Sequence, residues 1–225
     1  PLLKPGELVI AKNNAHYEVV EMLGEGGFGE VYKVSSKRNP EKVYAMKVES
    51  NDKDPKKTSS LIKIDRAGLY IYIINRKNRL LDEPVFRCHF PGATPSFKFY
   101  MMDLIGMSLK EVIRTMLGDV TSPHTKIAIA RQTIIAIENL HKLGFIHRDI
   151  KWHNFAIGLP PKEHIIYILD FGIARPYVDE KYVHYVPREK VQFMGTFKYA
   201  SIAGLESREQ SKKEDLEIWL YMMME

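Results

Sequence analysis

Cysteine is almost missing from this chain: Cys88 is the single one in 225 residues. A lone thiol closes no intrachain disulfide, so a disulfide scaffold and a cysteine-rich zinc cluster are excluded. A reducing compartment, cytosol or nucleus, is the expected setting. Long apolar runs are missing too. Nothing approaches the roughly 20 apolar residues that span a bilayer, and no apolar signal segment opens the chain, so no membrane role is expected. Nor is there a basic stripe interleaved with stacking aromatics, so the net charge of +5 reads as a solvated surface and no nucleic-acid partner is expected. The first residue is Pro1 and not an initiator methionine, which suggests a trimmed or partial sequence.

What is present is a composition able to form a core, with 45% hydrophobic residues, and one dense group of motifs. From His147 to Asn154 the chain reads H-R-D-I-K-W-H-N, and the apolar run that follows closes with Asp170, Phe171 and Gly172. Phosphoryl transfer needs a carboxylate near the attacking hydroxyl, a cation for the transferred group and oxygen ligands for magnesium. Asp149, Lys151, Asn154 and Asp170 supply that set in order. The two motifs together resemble the catalytic loop and metal loop of protein kinases. The resemblance implies that Asp149 accepts or orients the substrate hydroxyl proton, that Lys151 steadies the γ-phosphate, and that Asn154 and Asp170 hold Mg2+. His147 is then a buried structural residue, with the aspartate doing a base's work. Lys151, two places after the aspartate, marks the serine/threonine class. Trp152 stands where proline is usual.

Upstream, residues 17–23 alternate as a strand does, and Gly24, Gly26 and Gly29 set the spacing G-x-G-x-x-G. That spacing occurs in dinucleotide folds, where a helix follows, and in kinases, where a second strand follows. Here Glu30, Val31, Tyr32, Lys33 and Val34 follow, rich in β-formers, which disfavours a dinucleotide-binding enzyme. The kinase resemblance implies that the glycines let backbone N–H groups reach phosphates, that Val31 borders the nucleotide, and that Phe28 at the tip shields it from water. After a turn expected around Asn39 and Pro40, residues 43–48 form the next strand. On it Ala45 lets the adenine ring lie close, and Lys47 takes the role of the lysine that holds the α and β phosphates. A hydrophilic loop over 51–60 precedes a helix expected over 61–72. Asp65 sits there where an active kinase carries the glutamate that pairs with Lys47. Residues 84–95 read as irregular, and 97–102 as a strand ending in a hinge, where backbone groups around Asp103 and Ile105 meet the adenine edge.

Ser108 and Glu111 fit a capping box for a short helix through Leu117. Ser122 and Pro123 open a longer one, with Ile127, Ala130, Ile134, Ile137 and Leu140 or His141 as its apolar stripe and Gly144 as its stop. Beyond the metal loop come Gly195 and Thr196, then Lys198-Tyr199-Ala200-Ser201-Ile202, then residues 209–217, E-Q-S-K-K-E-D-L-E. These words look like the casein kinase I family, and residues 47–50 with 147–156 look most like its tau-tubulin kinase branch. The family likeness implies a taste for acidic or already phosphorylated substrates, with Lys198 in the anion pocket as a point charge in place of arginine. It also implies that Asp215 braces the catalytic loop from the next helix. That helix is expected to bury Leu216, Ile218, Trp219, Leu220 and Met222 to Met224.

The expected fold is α+β and bilobal: a β-rich nucleotide-binding lobe over residues 13–105, and an incomplete helical lobe over 106–225. The expected activity is transfer of the γ-phosphate of Mg-ATP to Ser or Thr of protein substrates, with ATP and Mg2+ as cofactors. A catalytically weak pseudokinase or scaffold, binding nucleotide or a protein partner, is the alternative that Asp65 favours. The family continues through several more helices, so a fragment of a longer protein is expected.

Overall fold

The computed structural model describes residues 1–11, 14–26, 29–51, 88–117 and 121–225. The described residues fall into two units, one of residues 1–51 with 88–104 and one of residues 105–225. The expected helix over 61–72 with Asp65, the loop over 52–60 and Phe28 lie outside the described residues.

The first unit is a six-stranded antiparallel sheet. Its strands are β1 (Leu8–Ile10), β2 (His16–Gly26), β3 (Gly29–Ser36), β4 (Asn39–Ser50), β5 (Cys88–Ala93) and β6 (Phe97–Asp103), in the order β1-β2-β3-β4-β6-β5. Side chains alternate across a strand. On β3, β4 and β6 the alternate positions Tyr32, Val34, Met46, Val48, Phe99 and Met101 therefore fall on one face. There they form one core with Leu3, Val9, Tyr17 and Val19. Each such side chain, fully buried, contributes about 1.5–3 kcal/mol. Gly92 on β5 fits under the ring of Phe99, where an added Cβ would stand 2.2 Å from Cζ.

Two local expectations fail here. The turn lies at Lys37 and Arg38, and Asn39 already pairs with Ser36, so Pro40 belongs to the exposed start of β4. Residues 88–93, expected to be irregular, pair with β6 as an edge strand. Pro91 and Gly92 hide the strand pattern, and an edge tolerates a residue with no N–H to donate.

The second unit opens with α1 (Leu109–Val112), capped reciprocally by Ser108 and Glu111 as the sequence implies, and continues as a wider-wound turn over Ile113–Leu117. In α2 (Pro123–Lys142) the Ser122 side chain accepts from the Thr125 amide, and Pro123 takes a first-turn position where no N–H is missed. Gly144, at φ +86°, turns the chain out of the helix. The helix buries Thr133, Ile137, Leu140 and His141, whereas Ile127 is 68% exposed, so the buried stripe starts later than its periodicity suggests. Then come β7 (Phe145–Ile146), the hairpin of β8 (Phe155–Ile157) and β9 (Ile166–Ile168), and β10 (Arg175–Pro176), which pairs with β7. Two helices follow, α3 (Ile202–Leu205) and α4 (Lys212–Met223). α4 starts at a capping box of Ser211 and Glu214 and turns Asp215, Ile218 and Met222 inward, a spacing of three and four. Leu216, Leu220 and Met224, expected inside, are 42%, 51% and 76% exposed. Trp219 Nε1 donates to Thr133 Oγ1 at 2.9 Å and ties α4 to α2. No helix among the described residues is long and apolar enough to cross a membrane.

Candidate active site

In the first unit the strand register lines up the residues expected to meet a nucleotide. Gly24 pairs with Val31, and Val31 with Lys47, across β2, β3 and β4. Ala45, two residues before Lys47, shares its face of the sheet, opposite the face of Met46 and Val48. A lysine on a strand ordinarily faces water. Lys47 is only 7% exposed, and Ala45 only 4%. An ammonium is rarely kept buried without a partner.

The glycines differ in what they permit. Gly29 has φ +118°, and a Cβ there would stand 2.2 Å from the Val48 carbonyl oxygen, so only glycine lets β3 approach β4 at that point. Gly26 pairs with Gly29 at the hairpin's end. At Gly24 an added Cβ meets no atom within 4 Å. Asp103 ends β6, paired with Tyr44. The boundary between the units falls between Leu104 and Ile105.

In the second unit the chain between β7 and β8 carries the residues expected to form the catalytic loop, and Asp215 holds its backbone from α4. The Asp215 carboxylate, 1% exposed, accepts from the His147 amide at 2.7 Å and the Arg148 amide at 2.8 Å, and lies 2.8 Å from His141 Nε2. Arg148 takes a left-handed φ of +69°. For an L-residue with a Cβ that conformation costs about 1–2 kcal/mol. Its backbone N–H donates to Asp215 and its guanidinium donates to the Ile173 carbonyl, and these hydrogen bonds hold it there. His147 is fully buried: Nε2–H donates to the Leu169 carbonyl at 2.9 Å, and Nδ1 accepts from the Asp149 amide at 3.2 Å. With both ring nitrogens in use, it acts as a strut.

Asp149 sits at the centre of a polar group. Its carboxylate lies 2.8 Å from Lys151 Nζ, accepts from Thr196 Oγ1 at 2.7 Å, and accepts from Asn154 Nδ2 at 3.1 Å. Burial alone pushes this carboxyl up, but the bonds from Lys151 and Thr196 outweigh it and hold it below its ordinary value. At neutral pH it is therefore an ionised acceptor. Lys151 Nζ also reaches Thr196 Oγ1 at 3.2 Å, so the hydroxyl joins the cation to the carboxylate.

Thr196 is the site residue that sequence reasoning missed; the available signal was the Gly-Thr pair. Gly195, at φ +119°, brings it in: a Cβ there would lie 2.5 Å from the Arg148 carbonyl oxygen. Trp152, in place of the usual proline, is buried at 7% exposure within the short turn Trp152–Asn154.

The β8–β9 hairpin brings the expected magnesium ligands together. Asn154 precedes β8 and Asp170 follows β9; Phe155 pairs with Ile168, and the Leu169 amide donates to the Asn154 carbonyl at 2.8 Å. Asn154 spends its NH2 group on the Asp149 carbonyl, at 2.7 Å, and on the Asp149 carboxylate. The amide oxygen is then what it offers a cation. Asp170, at φ +58°, caps the turn Phe171–Ile173 by accepting from the Gly172 amide at 3.3 Å. One amide oxygen and one carboxylate form a hard, oxygen-only donor set of the kind that suits Mg2+. Among the described residues no group of three or more His, Cys, Asp or Glu could hold a metal by itself. A magnesium ion bound partly through a substrate's phosphates and water needs no such group.

Lys198 is 59% exposed at its side chain and lies 2.5 Å from the Glu225 carboxylate, which also takes a bond from Tyr199 and draws in Lys110 at 3.4 Å. The Lys198 bond, then the Tyr199 bond, pull the Glu225 carboxyl down to about 2.

A buried carboxylate bridged to a lysine and a threonine, beside an oxygen pair for a hard cation, is what phosphoryl transfer to a hydroxyl asks for. Comparison with known proteins agrees: the family model described as the protein kinase domain matches residues 17–224, and the chain belongs to that family. Curated relatives carry serine/threonine kinase names. The chain is 32% identical over 209 residues to the serine/threonine-protein kinase spe-6 of Caenorhabditis elegans, covering 93% of this chain and 52% of that protein. It is 33% identical over 237 residues to a putative serine/threonine-protein kinase of the same nematode, covering 100% and 56%. A probable serine/threonine-protein kinase of Dictyostelium discoideum is 33% identical over 210 residues, covering 93% and 40%. The chain thus spans about half the length of the curated relatives it matches.

Proposed function

We propose that this chain transfers the γ-phosphoryl group of Mg-ATP to serine or threonine hydroxyls of protein substrates. The observation that carries the reading is Asp149, buried and ionised, with Lys151 and Thr196 on its carboxylate. In the reaction the substrate oxygen bonds to the γ-phosphorus as the bond to the departing ADP oxygen breaks. The hydroxyl proton leaves to Asp149 or to the transferred group. A carboxylate held below its ordinary value is a modest base, so Asp149 first orients the hydroxyl. A loose transition state asks little more until the new bond is nearly formed. Lys151 stands beside it to meet the equatorial oxygens as charge spreads over them. Bound Mg2+ would neutralise phosphate charge, and Asn154 and Asp170 are the residues that offer it oxygens. In the first unit Lys47 is assigned to the α and β phosphates, the backbone of Gly24, Gly26 and Gly29 to the phosphate chain, Val31 and Ala45 to the sides of the adenine, and Asp103 to its edge; Ile105, assigned to the same edge, is the first residue of the second unit's described part.

The finer placement in the casein kinase I family is supported by residues 195–202 and 209–217, and its tau-tubulin kinase branch by residues 47–50 and 147–156. Acidic or phosphorylated substrates would then meet Lys198, whose pairing with Glu225 they must compete with. Radiolabelled phosphate followed from Mg-ATP into casein, with Asp149→Asn beside it, tests the main reading. Incorporation that the substitution abolishes supports it, and incorporation that survives the substitution removes Asp149 from catalysis. No incorporation by the parent chain, with clear thermal stabilisation by nucleotide, turns the assignment to a nucleotide-binding scaffold.

A further inference from the structure

Two arginines of the second unit converge on one carboxylate that the reaction does not use, and a third lies within their field. Arg188 Nε and Nη2 grip Glu209 as a fork, at 2.5 and 3.0 Å, and the Arg188 amide lies 3.4 Å from the same group. Arg175 Nη1, just past the metal loop, stands 3.7 Å from it. The Glu209 side chain is only 14% exposed. Arg148 belongs to the same electrostatic group: burial, then the charges of Arg175 and Arg188, lower its guanidinium to about 10, and Glu209 and Asp215 oppose them. Arg148 adjoins Asp149 in the catalytic loop, Arg175 pairs with Ile146 across β7 and β10, and Arg188 lies in the exposed stretch 180–190 that leads to Thr196. Glu209 thus ties β10 to the stretch that leads to Thr196, with Arg148 within their electrostatic reach.

Clusters of arginine that converge on such a segment are commonly neutralised by a phosphate added to it, and this orders the segment. Residues 173–195 contain neither serine nor threonine, and the phosphorylatable hydroxyls there are those of Tyr177, Tyr182 and Tyr185. In the unphosphorylated chain the anion already at the arginines is Glu209.

We propose that Glu209 is a positioning residue for phosphoryl transfer: its carboxylate is the fixed anion that gathers Arg188 and Arg175 beside Arg148. The segment delivering Thr196 to Asp149 is thereby placed without phosphorylation. The inference rests on the kinase reading above. Its test is arranged so that the two fail separately.

The full chain is made in bacteria and treated with phosphatase, as the parent and as Glu209→Ala and Glu209→Asp. Casein phosphorylation is then followed. Phosphatase leaves the parent's rate unchanged. Glu209→Ala lowers kcat about tenfold or more with little change in the KM for ATP, since lost positioning and not lost nucleotide binding is what is measured. Glu209→Asp recovers part of the rate. Inorganic phosphate, set against chloride at equal ionic strength, restores part of the Glu209→Ala rate and none of the parent's. A parent inactivated by phosphatase, or a Glu209→Ala variant with the parent's kcat, overturns the proposal. Limited trypsin cleavage at Arg188 and Lys190 is a second readout, needing no activity. Faster cleavage in Glu209→Ala that phosphate slows supports the anion role even where the parent proves inactive and the kinase reading falls. Unchanged cleavage overturns it.

Discussion

Asp215→Ala tests the link between α4 and the catalytic loop. The substitution leaves two buried amides, of His147 and Arg148, and His141 Nε2 without the acceptor they now share. A hydrogen bond to a charged group contributes about 1.5–3 kcal/mol, so the two amides together represent about 3–6 kcal/mol. Against this, Arg148 is released from its left-handed conformation, which returns about 1–2 kcal/mol. The net loss is about 1–5 kcal/mol. At about 2–4 °C per kcal/mol for a chain of this size, the melting temperature falls by roughly 2–20 °C. Activity falls further than stability accounts for. A misplacement of about 1 Å in a catalytic group costs on the order of 100-fold in rate, and Asp149 is the next residue after the two that lose their anchor. Thermal unfolding followed by circular dichroism gives the first number, and casein phosphorylation below the variant's transition gives the second. A melting temperature within about 1 °C of the parent, together with an unchanged rate, refutes the claim that α4 sets this loop; about 1 °C is well under the shift from even 1 kcal/mol.

Thr196→Val keeps the shape of the side chain and removes the hydroxyl that joins Asp149 to Lys151. A bond of that kind makes the expected loss in kcat about 10–100-fold, and Thr196→Ser should stay near the parent. Gly29→Ala meets the Val48 carbonyl at a positive φ, so it should destabilise by more than about 1 kcal/mol in denaturant unfolding and raise the KM for ATP. Gly24→Ala, with open space around it, should cost no more than about 0.5 kcal/mol. The hydrogen bond from Arg188 holds the Glu209 carboxyl below its ordinary 4.5. Its stabilising contribution is then fully present above about pH 4.5 and is lost as pH falls through the folded-state value. Unfolding curves of the parent and Glu209→Gln, set apart at neutral pH, should converge as pH drops below 4.5. A constant separation down to pH 3 would discount the ion pair, since about pH 3 is well below that ordinary value.

Much of the site was legible in the sequence because its chemistry is written in short words. The catalytic loop, the metal loop, the glycine turn and the capping box of Ser108 and Glu111 are local patterns, each set by a few adjacent residues. Gly24, Val31 and Lys47 were named from the motifs, and their standing in one cross-strand row is what the register adds. The bond between Thr196 and Asp149 was hidden, because those residues are 47 positions apart and neither periodicity nor propensity speaks across that distance. The same holds for Glu209 and Arg188, 21 apart, where both residues read locally as solvated charges. Strand β5 was missed for the opposite reason: its local composition points away from a strand, and its neighbour β6 decides the matter. Burial was over-read on α2 and α4, where an apolar residue at the right spacing, such as Ile127 or Leu220, remains exposed.

The anchoring of His147 by a carboxylate 68 residues further along also bears on how the protein is made. At about 5–20 residues per second, a ribosome takes roughly 3–14 s to go from the histidine to its acceptor. For that interval the loop has the Leu169 and Ile173 carbonyls to bond to but lacks the carboxylate that takes its two amides. Its final geometry is a late event of synthesis.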